Sequence, residues 1–400
     1  MKTIKSGAIL VSSNSCKRVW DDQTLLYFRE IIKEKLYTII QIYKKVLNLL
    51  ESGGRINHKI INKGRDFIMK KRLLSLLLVV AFVFALVACG NTTTDADGKE
   101  EDKVKATTMT MGTGGTAGTY YGYGGVLGQY IKNKAGIEVT VVSTDGSKAN
   151  IQGIDAGNYQ LGTVQSDVMA YAWEGTRAFE EDGKVDSFRV VAGLYAEAVQ
   201  LITMDKDIKS VADLKGKSVS IGAPGSGVYF NAVDVLEAAG LTEADIKPQY
   251  QSFADSADAL KDGKIDAAFI VAGPPTPAIT ELCTTNEAYL VPIDGAVSKK
   301  LMDSCPFYTE FVIPAGTYAG QDKDVTTVTV KATLIVNASA TEDDVYKLTA
   351  AIFDNIDAIT AENGKGAELS IENATSGMTV PFHAGAAKYF AEKGVEVEVK

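Results

Sequence analysis

Two glycine-rich segments hold the densest potential for chemistry in this 400-residue chain. Gly112-Thr113-Gly114-Gly115-Thr116-Ala117-Gly118 and Gly222-Ala223-Pro224-Gly225-Ser226-Gly227 each follow a strand-like run and lead into a helix-like one. Successive backbone N–H groups at a helix N-terminus form a concavity that holds a carboxylate or phosphate without a basic side chain. Neither segment contains Lys or Arg, while Thr116, Thr119 and Ser226 add hydroxyl donors. A single such loop is equally what a tight strand-to-helix turn demands; two in parallel favour a ligand. Two rival chemistries fit poorly. Gly112 to Ala117 matches the G-x-G-x-x-A form of a dinucleotide fingerprint, but no acidic residue ends the next strand, the first candidate being Asp145. Gly216-Lys217-Ser218 has Val211 where a phosphate loop needs glycine, and a strand follows it.

Other residues are weaker candidates. In Gln165-Ser166-Asp167, Ser166 or Asp167 suits a helix N-cap, whereas Gln165 has no capping role and is free to face a cleft. Gly273-Pro274-Pro275-Thr276-Pro277 reads as a rigid turn that starts a helix, with Gly273 and Pro274 expected to line a cleft. His383 is expected to pack at the start of the last helix. The chain offers no Cys/His cluster with metal-ligand spacing, and nothing selects a pair from its many carboxylates. No catalytic residue, metal or cofactor is expected. Cys283 and Cys305 are expected to form a disulfide, with two buried thiols as the other reading.

The elements that position these residues alternate between strand and helix, which argues for an α/β fold with mostly parallel strands. Strands are expected at Thr107–Met111, Glu138–Ser143, Leu161–Val164, Arg189–Val191, Ser218–Ile221, Ala267–Val271 and Thr326–Val336. The clearest helices are Val228–Ala239 and Asp343–Ile359, the latter opened by a Thr341/Asp344 capping box, and Thr242 with Asp245 looks like a second such start. Gly122, Gly124, Gly125 and Gly128 are expected to let a helix approach the sheet. The two glycine loops form an internal echo, repeated about 40 residues later where Gly157–Asp167 parallels Gly263–Gly273. Each half thus presents two loops at carboxyl ends of strands, where open α/β sheets bind ligands. Two such halves make a clamshell around a ligand.

Upstream, Met69-Lys70-Lys71-Arg72 precedes an uncharged apolar run from Leu73 to Ala88, ending Leu86-Val87-Ala88-Cys89. The run is too short for a spanning helix, which takes about 20 residues, and has the layout of a secretory signal with a lipoprotein cleavage site. Residues 69–88 are expected to be removed and Cys89 lipidated. Residues 1–68 are expected to be an over-long gene prediction preceding the true start. Residues 89–106 are Thr-, Asp-, Glu- and Lys-rich and suit a flexible tether. The whole chain carries −9; residues 1–88 hold a ten-charge basic excess, so the remainder stands at −19. Such an acidic body argues against nucleic acid as a partner.

The ordered set Gly112–Thr116 with Thr119-Tyr120-Tyr121, Gln165-Ser166-Asp167, Gly222–Gly227, Ile313-Pro314-Ala315-Gly316-Thr317-Tyr318 and Pro381-Phe382-His383-Ala384-Gly385-Ala386 resembles the TAXI family, the solute-binding proteins of one class of tripartite ATP-independent periplasmic (TRAP) transporters. The resemblance runs from about Thr107 to the C-terminus. It implies a type II periplasmic-binding-protein-like fold, with lobe 1 at 107–200 plus 307–400, lobe 2 at 201–306, and crossovers near Gly193–Thr203 and Pro306–Val325. It implies a monomeric receptor, held at the membrane by lipid on Cys89, that delivers glutamate, 2-oxoglutarate or a similar small carboxylate to a TRAP-type permease. By motif match Gly115, Thr116, Thr119, Tyr120, Gln165, Ser166, Asp167, Ser226 and Gly227 belong at the cleft. Val228 stands where threonine is usual, leaving its backbone N–H as donor. An amino-acid receptor of an ATP-driven (ABC) importer and an extracytoplasmic hydrolase are the alternatives.

Overall fold

The computed structural model describes residues 107–399. The expected extension 1–68, signal 69–88, lipidated Cys89 and tether 89–106 lie outside the described residues. A first half runs β1 (Thr108–Gly112), α1 (Thr119–Ala135), β2 (Glu138–Val142), α2 (Ser147–Asp155), β3 (Leu161–Gln165), α3 (Ser166–Glu174) and the long β4 (Phe188–Thr203). A second half repeats the pattern with β5 (Ser218–Ser220), α4 (Gly227–Ala238), β6 (Lys247–Gln249), α5 (Phe253–Lys261), β7 (Ala267–Ala272), α6 (Pro277–Thr285), β8 (Tyr289–Val291) and α7 (Gly295–Ser304). The chain returns through β9 (Thr309–Ile313) and β10 (Val325–Asn337) to α8 (Glu342–Phe353), α9 (Ile356–Glu362), α10 (Ile371–Thr375) and α11 (Ala384–Glu392).

Strand order shows the repeat. β1 pairs in parallel with β2 and β3, and β10 runs antiparallel between β3 and the first part of β4. In the second half β5 pairs in parallel with β6 and β7, and the last part of β4 runs antiparallel between β7 and β8. The two orders, β2-β1-β3-β10-β4 and β6-β5-β7-β4-β8, match element for element. This is an α/β fold of the type II periplasmic-binding-protein kind, with two lobes joined by two crossing strands. β4 changes partner at Ala198, which faces both Thr329 of β10 and Ala272 of β7.

Each lobe has its own apolar core. One cluster joins Met111, Leu127, Ile151, Val164, Val190, Leu334 and Phe390. The second sheet is covered on both faces. On one, Val199, Leu201, Phe269 and Val271 pack with α4; on the other, Ile202, Ile270 and Ile279 pack with α6. The buried strands β3 and β7 accordingly read as continuous apolar or small runs rather than alternating ones.

Several expectations change. β4 reaches 16 residues where only Arg189–Val191 was expected; Gly193, Ala196, Glu197 and Ala198 are weak strand formers, and pairing on both sides overrides that preference. The second crossing falls at Thr329 within β10, not in Pro306–Val325, because Ile313 and Tyr318 pack into the second lobe. The helix expected over Asp343–Ile359 breaks after Phe353, where the Asn355 side chain bonds back to the Ala351 carbonyl at 2.9 Å. Thr341 caps it by accepting from the Asp344 N–H at 3.1 Å, and the Asp344 carboxylate accepts in return from the Thr341 hydroxyl at 2.9 Å rather than from its N–H. Thr242 and Asp245 do form a full capping box, but on a single 3-10 turn. A Cβ on Gly124 or Gly128 would meet Thr113 or Val139, as close approach to the sheet requires, whereas Gly122 and Gly125 face open space.

The expected disulfide is absent: Cys283 and Cys305 are free thiols. Cys283 belongs to the α6 face of the second sheet and Cys305 packs against the α4 face. With a sheet between them the sulfurs cannot approach the roughly 2 Å of an S–S bond.

Candidate functional site

Between the lobes lies a cavity of about 70 Å³ at the carboxyl ends of the parallel strands. Since a water needs about 10–15 Å³ of such space, it suits a solute the size of several waters. After β1 it is lined by Gly114, Gly115, Gly118, Thr119 and Tyr120, and after β5 by Ala223, Ser226, Gly227 and Val228. β3 ends on Gln165 and β7 on Val271 and Ala272, both at the wall. The loops after β2 (Thr144 to Ser147) and β6 (Gln251 to Phe253) close the ring, as the symmetry of the halves requires.

Four helix N-termini therefore converge here. α1 begins at Gly118 and α2 at Gly146, neither with a side-chain cap nor with an acidic residue in its first turn. α4 also lacks an acidic residue there; Ser226 at its start accepts from the Tyr229 N–H at 3.4 Å and donates to the Ala223 carbonyl at 2.7 Å. α5 is the exception, capped by Ser252 with Asp255 in its first turn. No Lys or Arg lines the cavity, so an anion there would be held by free N–H groups and helix dipoles. The loops are held firmly: Asn150 donates to the carbonyls of Thr113 and Thr163 at 2.6 and 2.7 Å and accepts from the Thr144 hydroxyl. Gly222 has φ 93°, a left-handed conformation that favours glycine.

One wall has opposite character. Glu197, 2% exposed, projects from β4 beside the partner change and accepts from the Tyr120 hydroxyl at 2.6 Å. Burial pushes its carboxyl up to about 8 despite that hydrogen bond. Gln165, also 2% exposed, donates from Nε2 to Asn231 at 3.0 Å, while its Oε1 has no partner. The site thus combines N–H donors with two carboxyls, Glu197 buried and Asp145 exposed.

Of the residues expected at the cleft, Gly115, Thr119, Tyr120, Gln165, Ser226, Gly227 and Val228 line the cavity. Thr116 is exposed and off the wall. Ser166 sits behind it, accepting from the Lys331 N–H at 3.2 Å, and Asp167 is fully buried, bonded to Asn231 at 2.9 Å. Gly273 lies one residue past the wall, its carbonyl accepting from Thr119 at 2.8 Å. Pro274 lines a separate cavity with Pro275, Pro277 and Lys365. Tyr318 holds this turn by accepting from the Thr276 N–H at 2.9 Å and donating to Gln200. His383 caps α11, Nδ1 accepting from the Gly385 N–H at 3.2 Å and Nε2 bonding the Ala340 carbonyl at 3.0 Å. Glu197 was missed, although a lone carboxylate inside Leu194-Tyr195-Ala196-Glu197-Ala198-Val199 was a visible signal. The Thr144–Ser147 and Gln251–Phe253 loops were missed because they carry no glycine repeat.

A family model for the NMT1-like family matches residues 111–394. Similar solved structures include the alkanesulfonate-binding protein SsuA from Xanthomonas axonopodis pv. citri, at 16% identity over 72% of this chain and 90% of that one, with a TM-score of 0.41. A putative L-cystine ABC transporter from Listeria monocytogenes is 19% identical over 66% of this chain and 98% of its own, with a TM-score of 0.42. A periplasmic binding protein from Salmonella typhimurium, described as having high arginine specificity, is 13% identical over 66% and 99%, with a TM-score of 0.39.

Proposed function

The chain belongs to the NMT1-like family, and from that premise we propose that it is an extracytoplasmic receptor that closes on a small zwitterion of the amino-acid type and hands it to a membrane importer. The observation that carries this reading is the meeting, in one cavity, of cation-free helix N-termini with buried Glu197. A ligand carboxylate is satisfied by N–H donors within Gly115–Thr119 and Ser226–Val228, apart from those of Gly118 and Ser226, which bond the Gly115 and Ala223 carbonyls. A ligand ammonium placed against Glu197 supplies the counter-charge that a buried carboxylate otherwise lacks. Glutamate keeps both groups; 2-oxoglutarate lacks the ammonium.

Glu197 moves the reading from a dicarboxylate receptor towards the amino-acid receptor of an ATP-driven importer. Service to a TRAP-type permease is the second reading, favoured by the ordered motif set from Gly112 to Ala386. Attachment through lipid on Cys89 completes the proposal; intact mass from membranes should show an acylated cysteine at that position. The lobes are proposed to divide at the partner change, so that 199–328 form lobe 2. A calorimetric screen of neutral, acidic and basic amino acids beside 2-oxoglutarate and an alkanesulfonate tests the ligand class. Saturable binding confined to amino acids is expected, and tight binding of 2-oxoglutarate with none of the amino acids would overturn it.

A further inference from the structure

Behind the cavity a chain of polar side chains crosses from one lobe to the other. Gln165 and Asp167 on the first lobe both bond the Asn231 amide of α4, at 3.0 and 2.9 Å. Asn231 also donates to the Tyr308 hydroxyl at 2.7 Å, and Tyr308 donates to Asp234 at 2.9 Å. Arg177, on the 3-10 turn after α3, reaches back across the seam to pair with Asp234. Asn231 and Asp167 are fully buried, and Tyr308 and Asp234 nearly so. Among the described residues Arg177 is the only non-glycine with left-handed backbone, at φ 46°. Backbone strain of this kind persists where surrounding contacts enforce it, and here those are Asp234 and the Tyr171 ring, 5.6 Å away. A Cβ on Gly227 would lie 1.5 Å from Gln165 Oε1, so the seam has no slack where it meets the cavity.

We propose that Asn231, with Arg177 as its outer partner, is a positioning latch that sets how long the lobes stay shut on a ligand it does not itself touch. The inference rests on the closing-receptor reading above. In an open molecule water reaches these groups. When shut, Asn231 makes one bond each to Gln165 Nε2 and Asp167 Oδ2, while Gln165 Oε1 and Asp167 Oδ1 have no partner, in a space closed to water where loss of those two bonds is costly. The latch therefore acts on release more than on capture.

The test uses the purified protein with L-glutamate as probe. In stopped-flow measurements Asn231→Ala is expected to raise the dissociation rate about tenfold or more, with the association rate changed less than about threefold. Arg177→Gln, at the exposed rim, is expected to act in the same direction and serves if Asn231→Ala fails to fold. Tyr229→Phe on the same helix, whose hydroxyl bonds Glu243 within lobe 2, should leave the rate unchanged. Small-angle scattering of ligand-free protein separates the two layers of argument. Both latch variants should enlarge the radius of gyration even if glutamate does not bind, in which case only the ligand class fails. Folded variants with unchanged scattering and unchanged release would overturn the latch.

Discussion

The buried carboxyl makes binding depend on pH in a direction that identifies the ligand. Glu197 titrates near 8 because burial disfavours its charge, with Tyr120 only partly compensating. If a ligand ammonium must meet the carboxylate, binding expels the proton, and observed affinity scales with the ionised fraction. That fraction is about 1% at pH 6, about 9% at pH 7 and about one half at pH 8, so affinity should rise roughly 50-fold across the range. Calorimetry in buffers of different ionisation heat should count nearly one proton released at pH 6.5. Glu197→Gln keeps an acceptor for Tyr120 but removes the charge. It should abolish this slope and cost about 1.5–3 kcal/mol of binding at pH 8, the worth of a charged hydrogen bond. The same variant should be more stable. The folded pKa lies above the unfolded value, so the folded chain holds the extra proton and wild-type stability falls as pH rises from about 4.5 to 8, by about 1.4 kcal/mol per unit. Asp167, raised to about 7 by burial, adds a stability dependence of the same sign, with stability lost as pH rises from about 4 to 7. The difference between wild type and Glu197→Gln isolates Glu197. A flat or falling difference would refute an ammonium at this wall.

Gly227→Ala should weaken ligand binding at least tenfold while leaving the melting temperature within a few degrees. The added methyl meets Gln165 only where the lobes touch, so equal losses in stability and affinity would count against that reasoning. Reducing agent should not shift the melting temperature, because Cys283 and Cys305 are thiols on opposite sheet faces. Alkylation under denaturing, non-reducing conditions should label both, and an unlabelled pair would show the bridge. Ser226→Ala should cost about 1 kcal/mol of stability through the lost cap, beyond any effect on the ligand.

What the sequence disclosed depended on whether the signal was local. The glycine loops were legible because a strand-to-helix turn fixes nearby backbone, and the echo between the halves matched β1 with β5 and β3 with β7. The same symmetry implied the loops after β2 and β6, but Thr144–Ser147 and Gln251–Phe253 resemble ordinary helix starts, and only sheet order brings them to the cavity. Cysteine pairing failed for a related reason: 22 residues of separation says nothing about which face of a sheet each thiol joins. β4 is the instructive case. Its Gly, Ala and Glu residues weaken the strand pattern at a partner change, with Glu197 on the cavity wall. Where an apolar strand tolerates a buried carboxyl bonded only to a tyrosine hydroxyl, the cost in folding is of the order of 1.4 kcal/mol for each unit of raised pKa. On the proposed function, a ligand that supplies the missing charge returns that cost on binding, and selectivity would then rest on the weak stretch of β4.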